Sequence, residues 1–404
     1  MKIALETLGC KLNQAETEAL ACEFMQSGHE LVQRVEDADI YVLNTCTVTH
    51  TADSKSRHLL RQARRRNPTA HIIVTGCYAE RAPSDLAKLE ATDFISGNED
   101  KMKLVQRLEE EGYLIKTART SVAKEKIGFR TRAFIKIQDG CHNYCTYCIV
   151  PYVRRTEKST PPDEIVEQAN QRVSEGYQEI VLTGTRIGAY DSNGLKLKDL
   201  VVRILSETSI PRLRLSSLQP QEISTELIEL WRDNRLCPHF HLSLQSGSNS
   251  VLKRMHRRYS VSEYEKTVAL IRTMVPKVAI TTDVIVGFPS ETDEEFNESL
   301  DFCRHMNFAR IHVFPFSPRS GTDAAKMPGQ IPEKTKKERT RLMLALAKES
   351  MRRFREQFTG NELDVLWEKQ TGQGVWSGIT GNYLRVYKKD KRDLSNKVSL
   401  VKVD

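Results

Sequence analysis

The stretch Cys141-His-Asn-Tyr-Cys145-Thr-Tyr-Cys148 places three cysteines in a C-x₃-C-x₂-C spacing. It directly follows the apolar, alternating run Ala133-Phe-Ile-Lys-Ile-Gln138, which predicts a β-strand. Three thiolates on one short loop can bind three irons of a four-iron cluster and leave the fourth iron open to a substrate or cofactor. The alternatives are a zinc site or a chance spacing, but zinc sites usually complete four ligands in paired spacings and no second pair follows. We call Cys141, Cys145 and Cys148 the loop cysteines.

The composition limits the kind of protein that carries this loop. The chain has 404 residues, which is long enough for two or three domains, and its 39% hydrophobic and 28% charged residues fit a soluble globular protein. No run of about eighteen apolar residues and no signal peptide is recognisable, so we expect a cytoplasmic protein with no membrane span. Nine scattered cysteines make a poor disulfide framework and fit a reducing compartment. A formal net charge of +8 favours a polyanionic partner.

Residues 1–115 predict a small α/β domain with a parallel sheet, because strand-like runs alternate with helical segments. Cys10, Cys46 and Cys77, which we call the sheet cysteines, each follow one of these strands. All three are therefore expected at the carboxyl edge of the sheet, where open α/β sheets bind their ligands. The pattern favours a second three-cysteine iron–sulfur site. Three buried structural cysteines are the alternative.

Gly9 and Gly76 stand just before two of the sheet cysteines. A glycine at these points would let the backbone approach a bulky group closely. The remaining cysteines fall in helical or helix-end segments and are interpreted as packing residues: Cys22, Cys237 and Cys303.

Residues 130–355 repeat a strand-then-helix unit six times and predict a partial (β/α)₆ barrel of the TIM kind. A polar, basic segment at residues 116–129 is interpreted as the linker that precedes it. The predicted strands are Ala133–Gln138, Glu179–Thr185, Arg212–Leu218, Phe240–Gln245, Ala279–Val286 and Arg310–Phe316. Catalytic groups of such barrels lie at the carboxyl ends of the strands, where the loop cysteines also fall.

Residues 356–404 predict a small C-terminal antiparallel β-barrel, which follows a long helix at residues 334–358. Short strand-like runs alternate with glycines there, and basic residues cluster at 388–392. The surface is a candidate for RNA binding. A structural cap on the barrel is the alternative.

These motifs together resemble the radical S-adenosylmethionine (SAM) enzymes and, within them, the methylthiotransferase branch. The resemblance rests on both sets of cysteines and on three further segments: Leu242-Ser-Leu-Gln-Ser-Gly247, Asp283-Val-Ile-Val-Gly-Phe-Pro289 and Val313-Phe-Pro-Phe-Ser-Pro318. The opening Gly9-Cys-Lys-Leu-Asn-Gln-Ala-Glu-Thr17 is most similar to the threonylcarbamoyladenosine tRNA methylthiotransferases. The C-terminal domain resembles the TRAM domains that end most members of the branch.

The resemblance implies two [4Fe-4S] clusters and SAM as cofactors. SAM would bind the open iron held by the loop cysteines, and its reductive cleavage would give a 5′-deoxyadenosyl radical that takes hydrogen from an adenine C–H. The cluster on the sheet cysteines would deliver the sulfur, and another SAM the methyl group. All six cysteines are therefore the expected catalytic and metal-binding residues.

The resemblance also implies contacts with SAM. The expected cofactor-binding residues are Tyr147, Thr183, Gly184, Thr185, Ser243, Gln245, Val286, Gly287, Val313 and Phe314. Tyr147 would pack on the adenine, residues 183–185 would bind the methionyl amino group, and residues 286–288 and 313–315 would line the adenine and ribose. Ordinary barrel packing is the alternative at each position.

Two positions depart from the family pattern. Arg154-Arg-Thr-Glu-Lys158 replaces the more usual Arg-Gly after the loop cysteines, which would alter substrate contacts. Gln219 stands where many relatives carry Glu, which would alter hydrogen bonds to SAM. Arg154 and Arg155 are candidates to bind the carboxylate of a threonylcarbamoyl group.

The basic runs at residues 55–66 and 253–258 are candidate tRNA contacts, with solvated surface as the alternative. We therefore predict a monomeric tRNA methylthiotransferase that recognises the anticodon stem-loop. It would add a methylthio group to C2 of N6-threonylcarbamoyladenosine at position 37, next to the anticodon. An electron donor such as a flavodoxin or a ferredoxin is expected. The alternatives are methylthiolation of isopentenyladenosine in tRNA or of a ribosomal-protein aspartate, and a non-catalytic iron–sulfur RNA-binding protein.

Overall fold

A computed structural model of the chain describes residues 1–117 and 131–403. Most of the predicted linker at residues 116–129 therefore lies outside the described residues. The described parts form an N-terminal α/β unit, a partial barrel and a C-terminal antiparallel sheet. Among the described helices, none combines the length and apolar character that crossing a membrane requires.

A parallel sheet forms the centre of the N-terminal unit. Its strands are β1 (Lys2–Thr7), β2 (Glu30–Val32), β3 (Ile40–Thr45), β4 (His71–Gly76) and β5 (Phe94–Ser96). They lie in the order β2-β1-β3-β4-β5 and all pair in parallel. Every residue of β3 is buried, including the polar Asn44 and Thr45 at its end, because helices cover both faces of a parallel sheet.

Helices follow these strands as the sequence predicts. They are α1 (Lys11–Gln26), α2 (His50–Arg66), α3 (Cys77–Arg81), α4 (Pro83–Ala87) and α5 (Leu104–Glu110). Short 3₁₀ turns occur at Val35–Asp37 and Lys101–Lys103. The hydroxyl of Thr49 caps α2 by accepting a hydrogen bond from the N–H of Ala52 at 3.2 Å.

The barrel has the six predicted parallel strands and three short additional ones. In chain order they are β6 (Ala133–Asp139), β7 (Lys158–Ser159), β8 (Glu179–Gly184), β9 (Asp191–Ser192), β10 (Leu195–Lys196), β11 (Arg212–Leu215), β12 (Ser217–Leu218), β13 (His239–Leu242), β14 (Ala279–Val286) and β15 (Arg310–Pro315). Eight of them form two sheets, β11-β8-β6-β7 and β12-β13-β14-β15, and β9 and β10 form a separate antiparallel pair. The third predicted strand is interrupted at Ser216, which separates β11 from β12.

The fourth predicted strand ends early, at Leu242 rather than Gln245. Gln245 has φ +70°, which takes the chain out of regular strand geometry. It still pairs with β14, since its N–H donates to the carbonyl of Asp283 (2.8 Å) and its carbonyl accepts from Ile285 (2.9 Å). Gln245 is therefore held firmly at the carboxyl end of the barrel.

Helix α6 (Val150–Val153) packs against Cys77 of the N-terminal unit. The other helices that follow the strands are α7 (Pro162–Ser174), α8 (Leu197–Glu207), α9 (Thr225–Ile228), α10 (Asn249–Arg254), α11 (Val261–Met274), α12 (Asp293–Met306) and α13 (Glu333–Glu356). Further 3₁₀ turns lie at Ile187–Ala189, Pro220–Glu222, Glu229–Arg232 and Asp323–Ala325. The largest apolar core of the protein lies between these helices and the outer face of the strands.

Helix α1 of the N-terminal unit lies against the inner face of the barrel. Ala15 packs with Phe134 of β6 and Val181 of β8 in a small buried cluster. The adjacent strand residues Ile135 and Leu182 belong to the outer core. Because successive side chains of a strand point to opposite faces, Phe134 and Val181 must point inward. A helix of one domain thus lines the interior of the other.

The C-terminal unit is an antiparallel sheet, as predicted. Its strands are β16 (Glu362–Gly372), β17 (Val375–Thr380), β18 (Arg385–Lys389) and β19 (Val398–Lys402), in the order β18-β17-β16-β19. Trp367 is fully buried in its core. Tyr383, in the turn before β18, stacks on His239 of β13 with ring centroids 4.3 Å apart. This contact places the C-terminal unit at the amino-terminal end of the barrel.

Candidate active site

The loop cysteines lie together between β6 and α6. The N–H of Cys148 donates to the carbonyl of Cys145 (2.9 Å), and the N–H of Thr146 donates to the carbonyl of Met255 (3.2 Å). Burial, together with the neighbouring thiols of Cys145 and Cys141, raises the pKa of Cys148 to about 12. Three neighbouring thiols, of which Cys145 is buried and the other two are half-buried, fit a metal cluster, because bound metal replaces their protons and stabilises the thiolates.

The sheet cysteines meet at the carboxyl edge of the N-terminal sheet. Burial raises the pKa of Cys46 to about 12, and the thiols of Cys77 and Cys10 add to the shift. Gly9 has φ +108°, and a Cβ atom there would lie only 2.7 Å from the Cβ of Cys46. Gly76 has φ +98° and is equally confined. Glycine at both positions lets the three sulfurs come together, and this donor set also fits a cluster.

Two side chains donate hydrogen bonds to these sulfurs. Nη1 of Arg257 lies 3.4 Å from Sγ of Cys145. Nδ2 of Asn98 lies 3.5 Å from Sγ of Cys77 and also donates to the carbonyl of Val153 at 2.7 Å. Donors of this kind stabilise iron-bound thiolates and tune the reduction potential of a cluster. Sequence patterns placed Arg257 only in a candidate tRNA-binding run and did not select Asn98.

The cysteines interpreted as packing residues lie apart from both sets. Cys237 and Cys303 are buried, and Cys303 belongs to the outer core of the barrel. Cys22 is half-buried on α1. Burial raises the pKa of the Cys303 thiol to about 12, as expected for an inert core cysteine.

A cavity of about 210 Å³ lies where the N-terminal unit meets the barrel. Val48 and Thr49, just after Cys46, line it together with Cys148 and Phe314. A molecule in this cavity would therefore lie near a loop cysteine and near the segment that follows a sheet cysteine.

Three of the ten residues expected to contact SAM line this cavity: Tyr147, Gln245 and Phe314. The others do not line it: Thr183, Gly184, Thr185, Ser243, Val286, Gly287 and Val313. The side chain of Val286 lies in the outer core. At Gly287, a Cβ atom would lie 2.3 Å from Cγ of Lys336, so the backbone packs on that lysine.

Asp283 and Ile285 line the cavity although sequence reasoning did not select their side chains. They alternate on β14 with Val284 and Val286, which face the outer core. The period-two alternation of a strand would have identified them once one core-facing residue was known.

Arg154 is a structural residue at the domain interface, and the prediction that it binds a substrate carboxylate is wrong. Its guanidinium is buried and donates to Glu16, Asn13 and Asp139, each at 2.8 Å. These bonds leave it no free edge for a substrate. Arg155 is exposed and remains a candidate.

Although Gln219 replaces the Glu that is usual at this position, another carboxylate lies close to it. The N–H of Gln219 donates to Oε2 of Glu222 at 2.9 Å. Glu222 in turn forms an ion pair with Arg186 at 2.5 Å. Arg186 also donates to Oδ1 of Asn143, on the loop that carries the cysteines, at 3.2 Å. Glu222, three residues after Gln219, therefore supplies a negative charge beside the loop that carries the loop cysteines.

The basic run at residues 253–258 is partly used inside the protein. Arg254 pairs with Glu295 at 2.6 Å, and Arg257 contacts Cys145. The exposed cations of this run are Lys253 and Arg258. Because two of its arginines are used inside the protein, this run is a weaker candidate for tRNA binding than its composition indicates.

The run at residues 55–66 forms most of α2 and keeps several cations at the surface. Arg61, Arg65 and Arg66 are exposed in its second half. Arg64, by contrast, pairs with Asp93 at 2.6 Å. Arg66 also lies 3.9 Å from Glu36, so Arg61 and Arg65 are the exposed arginines best placed to bind a polyanion.

Comparisons with known proteins identify two families along the chain. Residues 2–97 match the Uncharacterized protein family UPF0004, and residues 135–303 match the Radical SAM superfamily. The chain is 40% identical to threonylcarbamoyladenosine tRNA methylthiotransferase MtaB of Bacillus subtilis (strain 168), over 99% of this chain and 93% of the relative. Identity to the protein of the same name from Aquifex aeolicus (strain VF5) is 38%, over 99% of this chain and 100% of the relative.

A tRNA-2-methylthio-N(6)-dimethylallyladenosine synthase of Bacillus velezensis is 34% identical, over 100% of this chain and 83% of the relative. Among solved structures, the radical SAM methyltransferase TsrM of Kitasatospora setae has a similar fold, with a TM-score of 0.59 and 14% identity. That similarity covers 80% of this chain and 77% of TsrM. It supports the arrangement of the α/β unit and the barrel.

Proposed function

This chain belongs to the radical SAM tRNA methylthiotransferases, and from that membership we propose that its substrate is N6-threonylcarbamoyladenosine at position 37 of tRNA. The enzyme adds a methylthio group to C2 of this base and uses two [4Fe-4S] clusters, one on each set of cysteines. It acts in the cytoplasm as a monomer and receives electrons from a flavodoxin or a ferredoxin.

The relatives support this choice of base. Those named threonylcarbamoyladenosine tRNA methylthiotransferase share 38–40% identity with the chain. Those named tRNA-2-methylthio-N(6)-dimethylallyladenosine synthase share 33–36%. The higher identity favours the threonylcarbamoyl substrate over the isopentenyl one.

The cavity that both cysteine sets approach is the observation that carries the proposal. Val48 and Thr49 follow the sheet cysteine Cys46, while Cys148 belongs to the loop set, and all three line one space. A reaction that joins sulfur to carbon needs the sulfur-bearing group and the radical-generating group on either side of one base. A purely electron-transferring or RNA-binding protein has no need of a shared cavity.

The chain's own residues would position the reactants and exclude water. The clusters and SAM, when bound, would supply the radical chemistry. The loop cysteines and the sheet cysteines would hold the two clusters, and Arg257 and Asn98 would donate hydrogen bonds to their sulfurs. Phe314 and Ile285 give the cavity apolar walls that keep water from a reactive carbon.

The exposed arginines of α2 would bind tRNA phosphates. Phosphate neutralisation supplies most of the sequence-independent affinity of such proteins. A base in the anticodon loop can leave its stack and enter a cavity at the carboxyl end of a barrel, as single-stranded RNA recognition often requires.

Mass spectrometry of tRNA nucleosides tests the proposal. A strain that lacks the gene should lose 2-methylthio-N6-threonylcarbamoyladenosine and regain it when complemented with this chain. Complementation with the Cys46→Ala variant is the matched control and should not restore it. Restoration of 2-methylthio-isopentenyladenosine instead would assign the enzyme to the other base.

A further inference from the structure

Exposed aromatic side chains concentrate beside the cavity of the candidate active site. Within residues 1–117 and 131–403, the exposed large aromatic residues are Tyr144, Tyr152, Phe314 and Tyr387. Phe314 lines the cavity, and Tyr144 and Tyr152 stand on either side of residues 147–150, which also line it. Tyr387 lies on β18 of the C-terminal unit. Exposed rings that group at one place mark an interaction surface.

Helix α6 carries Tyr152 along the cavity wall. Val150, at the start of this helix, and Ile149 before it both line the cavity. The N–H of Tyr152 donates to the carbonyl of Ile149 at 3.0 Å. Two residues of a helix rise by only about 3 Å. The backbone of Tyr152 therefore lies directly beside the cavity wall, while 38% of the residue stays exposed.

Tyr144 contacts two other exposed rings. Its ring centroid is 6.0 Å from that of Tyr152, in a T-shaped arrangement with an interplanar angle of 79°. The ring of His142 is 6.3 Å from it and almost parallel, with an angle of 12°. We call His142, Tyr144 and Tyr152 the rim aromatics. Because Tyr144 contacts both neighbours, it is the ring that the other two orient.

The backbone and its hydrogen bonds hold the rim aromatics in place. Tyr144 has φ +46°, in the left-handed region that a bulky side chain rarely adopts. Nε2 of His142 lies 2.8 Å from the carbonyl oxygen of Arg155, and the backbone N–H of His142 donates to Oε2 of Glu157 at 3.1 Å. Strained backbone is typical of functional sites. An exposed ring that is already fixed loses little conformational entropy when a ligand stacks on it.

Two carboxylates face the rim aromatics. Oε2 of Glu157 is 3.6 Å from Nδ1 of His142, and Oε1 of the same residue is 4.0 Å from Nη1 of Arg186. Burial and the nearby carboxylate of Asp323 raise the pKa of Tyr152. These negative charges oppose the approach of a phosphate group to the rings.

The charge around the rim aromatics is mixed. Arg155 is an exposed cation on the same segment, but its Nη2 lies 3.8 Å from Oε1 of Glu80. Stacking of a nucleobase on an aromatic ring needs no net charge and tolerates any base. The flat face of an unpaired base therefore fits this surface better than the phosphate backbone does.

We propose that Tyr144, supported by His142 and Tyr152, stacks on an unpaired base next to the target adenosine of tRNA. The inference rests on the proposed function, which brings one adenosine of tRNA into the cavity. When that adenosine leaves its stack, the bases on either side of it lose a stacking partner. The strand that delivers the adenosine passes the edge of the cavity, where the ring of Tyr144 replaces the lost partner.

This contact deepens the proposed function without reading the N6 group of the target. The ring lies on the loop between two of the cysteines, Cys141 and Cys145, rather than inside the cavity. It would therefore stabilise the extruded state of a threonylcarbamoyladenosine and of an isopentenyladenosine alike. Failure of the stacking contact and failure of the substrate assignment can thus be told apart.

The test places a fluorescent base beside the target. Anticodon stem-loops that carry threonylcarbamoyladenosine are made with 2-aminopurine directly before or directly after it, and are bound to saturating holoenzyme with SAM but no reductant. The fluorescence of 2-aminopurine is low when the base is stacked and rises when it is unstacked. With wild type we expect it to stay low at one of the two positions. With Tyr144→Ala it should rise there, and the Kd should increase about 10-fold.

Matched variants separate stacking from damage to the neighbouring cluster. Tyr144→Phe keeps the aromatic face and should retain the low fluorescence. Tyr387→Ala removes an exposed tyrosine of the C-terminal unit and should also leave the fluorescence of the bound complex low. Iron content and the EPR spectrum of the loop-cysteine cluster are measured on Tyr144→Ala. A stem-loop without a base at the sensitive position should bind wild type and Tyr144→Ala with equal Kd.

Each outcome supports or overturns the role of Tyr144. Equal fluorescence in wild type and Tyr144→Ala would overturn it, and would leave the proposed function standing if wild type methylthiolates the threonylcarbamoyladenosine stem-loop. A Tyr144→Ala variant that binds RNA normally but is reduced more slowly by a flavodoxin would assign the rings to the electron donor instead. Wild type that is active only on isopentenyladenosine would overturn the substrate, while the same fluorescence difference on that stem-loop would still support the stacking contact.

Discussion

Arg154 of the barrel donates two hydrogen bonds to the carboxylate of Glu16 in the N-terminal unit. Nη1 lies 2.8 Å from Oε1, and Nη2 lies 2.8 Å from Oε2. Lys101 and Lys136 approach the same carboxylate at 2.6 and 2.7 Å. The side chains of Arg154 and Glu16 are both almost completely buried. One carboxylate thus gathers cations from both domains at their junction, close to Cys10.

Glu16→Gln should destabilise the protein by about 3–5 kcal/mol, because it leaves buried cations without their counter-charge. The free energy of unfolding from urea titration measures this. Glu207→Gln removes a surface partner of Arg203 and is the matched control, with an unfolding midpoint close to wild type. Equal midpoints for the two variants would show that the junction does not depend on Glu16.

The free energy of unfolding should decrease in acid because the carboxylate of Glu179 becomes protonated. Burial opposes ionisation of this carboxyl, but the Arg214 and Arg212 guanidinium groups prevail and lower its pKa from 4.5 to about 2. A carboxyl with a depressed folded-state pKa contributes fully above its unfolded pKa. The contribution is lost as the pH falls from 4.5 toward 2, and it amounts to about 3 kcal/mol.

Urea titrations of metal-free wild type and Glu179→Gln across this range check the effect. The stability difference between them should be largest at neutral pH and shrink as the pH approaches about 3. Two curves that stay parallel would assign the acid sensitivity to other groups.

Each set of cysteines should hold its own cluster. Anaerobically reconstituted wild type should contain about eight irons per chain, whereas Cys46→Ala and Cys145→Ala should each contain about four. Cys46→Ala should still cleave SAM with reductant and lose methylthiolation, and Cys145→Ala should lose both activities. Cys303→Ala, in the outer core, is the control and should retain all the iron. About four irons in the wild type would refute the two-cluster proposal.

Arg257→Gln should make the reduction potential of the loop-cysteine cluster more negative, by on the order of 50 mV. A cation 3.4 Å from Sγ of Cys145 favours the more negative, reduced form of the cluster. Potentiometric titration followed by EPR measures the shift. The neighbouring Arg258→Gln, at an exposed arginine, should leave the potential unchanged. Equal shifts in both variants would indicate a general surface-charge effect.

Arg61→Gln combined with Arg65→Gln should weaken tRNA binding and its dependence on salt. Each lost phosphate contact lowers the slope of log Kd against log salt concentration by about 0.7–0.9. Filter binding over a series of salt concentrations gives the slope. Arg232→Gln, at another exposed arginine, should retain the wild-type slope. An unchanged slope in the double variant would place the tRNA on another surface.

Local spacing made much of this protein predictable. The barrel strands and both cysteine sets follow from alternation and from positions at strand ends, which are properties of a few adjacent residues. The role of Arg154 did not follow, because Glu16 lies 138 residues away and no local pattern reports that pair. The same limit applies to Ala15 against Phe134 and to Asn98 beside Cys77, contacts that arise only when two domains dock.

The placement of α1 inside the barrel has a mechanical consequence. The segment that begins just after Cys10 carries Glu16 into the domain junction. Along this continuous helix the rise from Lys11 to Glu16 is about 7.5 Å. An unbroken helix transmits displacement without a hinge, so any tilt of the N-terminal unit would move Cys10, Lys11 and the junction together. We therefore expect the two domains to keep their relative positions during turnover, while the tRNA base moves into and out of the active site.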